Sequence, residues 1–156
     1  MKYICYFLAL IFILQISTDV VAQGTSCADA DPFCTGTTYS FPNNTGTSAQ
    51  SGPDYGCLLS QPNPAWYYLQ IDQSGTIQMD ISQVDANGSG IDVDFIAYGP
   101  FGSPAGGCGT LTSANTVDCS FSSSANETAT IIGAVSGEYY ILLITNFSNQ
   151  PGNISF

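Results

Sequence analysis

Along most of the chain, apolar and polar residues alternate over short runs, and Gly, Pro, Ser, Thr and Asn interrupt the runs at short intervals. A period of two marks half-buried strands, and this punctuation is that of an all-β sandwich or barrel. The runs predict strands at "TTYSFP" (37–42), "AWYYLQID" (65–72), "GTIQMDIS" (75–82), "IDVDFIAYG" (91–99), "TATIIGA" (128–134), "EYYILLITNF" (138–147) and "NISF" (153–156), with a short additional one at "CLLS" (57–60). The expected architecture is an antiparallel β-sandwich, jelly-roll or Greek key, of about eight strands. Both faces of "YYILLIT" are apolar, which predicts a central strand packed on both sides or covered by loops. Trp66, the only Trp, reads as a core plug.

The connections carry their own signals. "QSG" (73–75) predicts a tight hairpin in which Gly75 is free to take positive φ, and "VSG" (135–137) predicts the same before the last long strand. The stretches 46–56 and 102–127 are polar and rich in Gly or Ser, so they read as loops. The second is long enough to be functional or pinned by a disulfide.

The N-terminus sets the compartment. Met1-Lys2 precedes the apolar run "YICYFLALIFIL" (3–14), which is short for a membrane span and suited to a signal-peptide core. Val20 and Ala22 stand at the small-residue positions before a cut at Gln23. Residues 1–22 are therefore expected to be a secretory signal, and 23–156 a single sandwich domain truncated at its C-terminal end. After cleavage, no membrane insertion is expected, and the chain is secreted or displayed at the cell surface.

Charge narrows the partners. The only cation in the sequence is Lys2, so the mature chain would carry 11 acids and no Lys, Arg or His. Such a chain repels phosphate backbones, which argues against nucleic acid. It also means that a buried carboxylate must find backbone donors, a hydroxyl, a proton or a metal ion.

Five cysteines follow the signal: Cys27, Cys34, Cys57, Cys108 and Cys119. In an oxidising compartment they read as disulfides rather than a zinc site, since there is no His and no paired C-x-x-C. The expected bridges are Cys108–Cys119, closing the long loop, and Cys34–Cys57. Cys27 is left to reach a cysteine beyond Phe156, with Cys27–Cys34 as the alternative.

Asp92 and Asp94 are the main chemical candidates. At i and i+2 on a strand they share one face, about 6.5–7 Å apart. Without a cation they repel, share a proton or hold a metal. Calcium is the expected ion, with Asp85, the "NGSG" carbonyls, Asp118 or Asn146 completing its shell. The alternative is that both acids face water. As a glycosidase pair they pass on distance but project the same way from one strand, and nothing in the sequence marks a raised pKa. With no His and no G-x-S-x-G, the domain is read as non-catalytic. Tyr98 and Phe101, at a strand end, are the candidate rings for stacking on a ligand such as an extracellular glycan. Asn43, Asn87, Asn126, Asn146 and Asn153 each begin an N-x-S/T sequon.

Taken together, "AWYYLQIDQSGTIQMDIS", "IDVDFIAYGPF", the "CGTLT…VDCSFS" bracket and "GEYYILLITNFSNQPGNISF" resemble a module near the N-terminus of large secreted Bacteroidota surface proteins of the gliding-motility or type IX-secreted kind, with Ig-like or PKD repeats. The strand pattern is also similar to pre-peptidase C-terminal domains and CUB-like jelly rolls, some of which hold calcium through acids near a strand start. The resemblance implies display on the outer-membrane exterior, a downstream "GGTG…DC" that supplies the missing cysteine, and a metal role for Asp92 and Asp94. The expected function is a non-catalytic module for adhesion or ligand binding, to a glycan or surface protein. The alternatives are an accessory domain of a secreted hydrolase and a pure spacer.

Overall fold

The computed structural model describes residues 24–156, and the expected signal segment lies outside them. Among the described residues the strands are β1 (Asp31–Pro32), β2 (Ser40–Pro42), β3 (Pro64–Gln70), β4 (Gly75–Asp85), β5 (Asp94–Phe101), β6 (Thr116–Ser120), β7 (Asn126–Ala134), β8 (Tyr139–Thr145) and β9 (Gly152–Ser155). One short helix, α1 (Pro104–Cys108), is capped by the Ser103 side chain, which accepts the Gly106 N–H. A five-stranded sheet has the order β1-β3-β8-β5-β6, and a four-stranded sheet has β2-β9-β4-β7. Pairing is antiparallel except for β1 against β3. The chain is an all-β sandwich.

Alternation explains how the sheets meet. On β5, Phe95 and Ala97 point inward, and on β8 so do Leu142 and Ile144; they pack against Ile81, Ile131 and Ile154 of the other sheet. The odd-even partners Ile96, Tyr98, Ile141 and Leu143 are equally buried, on the outer face of the five-stranded sheet. β8 is thus central and covered on both sides, as its unbroken apolar run requires. Trp66 joins the outer cluster with no exposed surface.

The outer cluster is roofed by loops rather than by a third sheet. Cys27, Leu58 and Leu111 reach it from three separate segments. Two disulfides staple this roof, Cys27–Cys108 and Cys57–Cys119. Each closes a long span, 81 and 62 residues, and such bridges typically contribute about 2–4 kcal/mol. Both expected pairs are therefore corrected. Cys108 ends α1 and meets the N-terminal turn, whereas Cys119 lies on β6 and meets the loop that precedes β3. Cys27, expected to be unpaired, is bonded, and Cys34 is the free, exposed thiol.

The connections also differ from expectation. "QSG" and "VSG" are not hairpins, because β3 and β8 belong to one sheet while β4 and β7 belong to the other. Each turn is a corner between layers. The corners hold one another: the Gly137 N–H donates to the Ile71 carbonyl at 2.7 Å, and the Ser136 N–H to Ser74 Oγ at 3.0 Å. Gly137 takes a left-handed φ of 91°, but Gly75 does not adopt positive φ. The stretch 57–60 forms no strand, and the presumed loop 102–127 contains α1 and β6.

Candidate functional site

The acids singled out from sequence come together where β5 begins. Asp92 sits just before the strand and Asp94 is its first residue. Both line one cavity of about 250 Å³, with Phe121, Ser122 and Ser123 from the β6–β7 connection and Phe147 from the turn after β8. Backbone bonds hold this geometry: the Val93 N–H donates to the Ser124 carbonyl at 3.0 Å, and the Ser148 N–H to the Asp92 carbonyl at 3.4 Å. The Phe121 and Phe147 rings meet edge to face, 5.2 Å between centroids.

The two acids do not face water on an open sheet. Asp94 is 1% exposed, and neither of its carboxylate oxygens has a hydrogen-bond partner of good geometry; Asp92 Oδ1 is likewise buried and unpartnered. Burial is the main reason that Asp94 is pushed up to about 7, with the neighbouring Asp92 and then Glu127 adding to it; the Ser122 N–H pulls weakly the other way. Asp92 is also raised, chiefly by burial and then by Glu127. No raised carboxyl was expected from the sequence, because the loop and ring that shelter Asp94 lie far along the chain.

Glu127, the second residue of β7, is the third acid of the neighbourhood, and it accepts the Ser122 hydroxyl at 2.5 Å. Sequence reasoning missed it, along with Phe121 and Phe147. An acid at the start of a predicted strand was the only available signal for Glu127, and nothing in the pattern marked the two rings.

The expected auxiliary ligands are engaged elsewhere. Asp85 caps its own loop by accepting the Ser89 and Asn87 N–H groups, both at 2.8 Å, which holds its carboxyl below the ordinary range. Asp118 accepts from Thr130 and Cys119. Asn146 is fully buried: its side-chain oxygen accepts from Gln83 at 2.5 Å, and its amide donates to the carbonyls of Asn44 and Gln150. Among the described residues, no group of three or more His, Cys, Asp or Glu side chains is arranged to hold a metal ion.

Tyr98 is not presented to a ligand, and Phe101 is only partly exposed. Tyr98 is fully buried in the outer cluster, and its hydroxyl donates to the Asp54 carbonyl at 2.9 Å. Burial above all drives its phenol well above the ordinary range. Phe101 is half-buried against the same cluster. Gly107 lets it pack there, since a Cβ at that position would lie 2.7 Å from both the Phe101 ring and Ile141 Cδ1. Of the described sequons, Asn87, Asn126 and Asn153 are exposed, whereas Asn146 is locked in the amide network.

A scan against protein-family models finds no match for the chain, and neither does a search of curated proteins. Among solved structures, the chain is similar to the pre-peptidase C-terminal domain of a collagenase from Bacillus anthracis, with a TM-score of 0.47 and 13% identity over 81% of this chain and 90% of that one.

Proposed function

We propose that this chain is a non-catalytic binding module of an exported protein, and that the cavity at the start of β5 takes up a cation, calcium foremost. One observation carries the reading: three buried carboxylate oxygens, on Asp92 and Asp94, have no hydrogen-bond donor of good geometry in a domain whose described residues include no Lys, Arg or His. A buried acid left in that state must stay protonated or gain a cation. Calcium favours hard oxygens and tolerates irregular shells completed by water.

Asp92 and Asp94 would hold the ion directly, and Glu127 would add negative field from the neighbouring strand. The ion would supply charge compensation, tying the β6–β7 connection to the start of β5. Two carboxylates make a sparse ligand set. The expected affinity is therefore that of weak extracellular sites, on the order of 10⁻⁴–10⁻³ M.

The acids do not form a hydrolytic pair. They project from neighbouring positions of one segment rather than flanking a space from opposite sides, as glycoside cleavage requires. The two disulfides and the acidic surface support a role outside the cell, as an adhesion or ligand-binding module of a larger surface protein of the Bacteroidota type. With Tyr98 sealed in the outer cluster and Phe101 half-buried against it, that role would draw mainly on other surfaces.

Thermal unfolding with chelator and with 5 mM calcium (about five times the upper estimate of Kd) tests the cation. The expected result is a rise in midpoint with calcium that disappears in Asp94→Asn. Coincident melts would end the metal reading.

A further inference from the structure

The cavity at the start of β5 combines two surfaces of opposite character. One is the acid pair: Asp94 is 1% exposed with neither carboxylate oxygen paired in good geometry, and Asp92 Oδ1 is buried in the same state. The other is the pair of rings, Phe121 and Phe147, set edge to face with centroids 5.2 Å apart. Phe121 packs partly against the outer cluster, which fixes it in place. Phe147 is 37% exposed, and Ser122 and Ser123 are exposed as well, so the cavity opens to solvent beside them. The rings give a bare metal ion nothing, because they offer no hard oxygen. They suit an alkyl chain or an organic cation, which gains contact with an aromatic surface.

We propose that this cavity binds a primary alkylammonium group, its ammonium on Asp92 and Asp94 and its alkyl stem along Phe121 and Phe147. The inference rests on the reading of the cavity as a cation site, and it adds a second class of occupant that competes with calcium for the same oxygens. Three observations select this class. The first is donor count: an ammonium carries three N–H donors and no acceptor, and three buried oxygens await donors. The second is size. A cavity of about 250 Å³ falls below the roughly 300–1,000 Å³ of sites for drug-sized ligands and suits one short chain. Such a chain lays its methylenes on apolar surface while its head reaches a polar partner. The third is charge. The described residues include no Lys, Arg or His, so the compensating cation must come from outside the domain. Glu127, which accepts the Ser122 hydroxyl, adds to the attraction. A Lys side chain of a partner polypeptide and a free small amine both present this chemistry.

The probe is n-butylammonium, added at about 20 mM to the full chain in an amine-free buffer at pH 8, where a primary amine stays protonated. The unfolding midpoint is expected to rise by a few degrees. N,N,N-trimethylbutylammonium keeps the charge and the stem but has no N–H donor, and it should bind at least tenfold more weakly. Saturating calcium should abolish the butylammonium shift, and so should Asp94→Asn. Phe147→Ala, at a part-exposed ring, should fold and weaken butylammonium severalfold. A calcium shift without a butylammonium shift overturns this proposal and leaves the calcium reading standing; the reverse result keeps the alkylammonium and removes calcium. Equal binding of the trimethylated probe, or a shift that survives in Asp94→Asn, also overturns it. Nα-acetyl-lysine N-methylamide separates the sources. If it matches butylammonium, the cavity admits a Lys side chain of a polypeptide; if only butylammonium binds, the occupant is a free amine.

Discussion

The Asp118 carboxylate on β6 accepts the Thr130 N–H of β7 at 2.6 Å, joining the free edges of two different sheets. Its other oxygen accepts the Cys119 N–H at 2.8 Å, so the side chain is held across the seam. One acid thereby closes a side of the sandwich that backbone pairing leaves open. Asp118→Ala should lower stability by about 1–3 kcal/mol, with Asp118→Asn less harmful because an amide oxygen can still accept. Urea unfolding at neutral pH measures both.

Asp94 makes stability depend on pH in an unusual direction. Its carboxyl titrates near 7 in the fold against an ordinary value of 3.8. The folded state therefore holds the proton more tightly than the unfolded chain. The contribution is fully present below about pH 4 and is lost as pH rises through 7. In chelator the domain should lose on the order of 1–3 kcal/mol between pH 4 and pH 8 through this group, allowing for relaxation and water entry. Asp94→Asn should flatten that slope. Calcium needs the ionised form, so its stabilising effect should be larger at pH 8 than at pH 5. Melts across pH, with and without calcium, distinguish these outcomes.

Peptide mapping without reduction should recover Cys27–Cys108 and Cys57–Cys119, with Cys34 open to a thiol reagent in the native protein. Replacing both Cys27 and Cys108 with Ser should cost about 2–5 kcal/mol and expose the outer cluster to a hydrophobic dye. Cys34→Ser should leave the unfolding midpoint unchanged.

The amide network is a second structural dependency. Asn63, left-handed at φ 52°, donates to the Asn146 carbonyl and to Asn149 Oδ1, while Asn146 ties Gln83 to Asn44 and Gln150. Asn146→Ala strands several buried partners together and should destabilise by about 2–4 kcal/mol. Asn146→Asp, isosteric but unable to donate, should fail comparably at pH 8. Denaturant titration of the two variants checks this.

The layered β architecture was legible because the long strands alternate cleanly. β8 announced its central place through two apolar faces. β6 was not legible: "TVDCS" has little apolar character, and Val117 points to solvent. The corners were misread because a Gly marks a tight turn whether or not the chain stays in its sheet. The Asp92–Asp94 face was correctly paired, but its burial depends on Phe121, Ser122 and Phe147, which only the folded connections bring near. Tyr98 shares that face. Its place at a strand end suggested access, whereas the roof of loops seals it.

The bridges interlock, 27 to 108 and 57 to 119: the second begins inside the span of the first, and the first ends inside the span of the second. A chain threaded outward from its N-terminus would present Cys27, Cys34 and Cys57 first, and every pair among those three is non-native. Neither native bond can form until β3, β4 and β5 have all emerged. Correct oxidation thus waits on the sheets, and an early oxidant would trap the wrong loops. A thiol–disulfide isomerase, or slow oxidation once the sheets have formed, suits the maturation of this domain better than rapid cross-linking of the emerging chain.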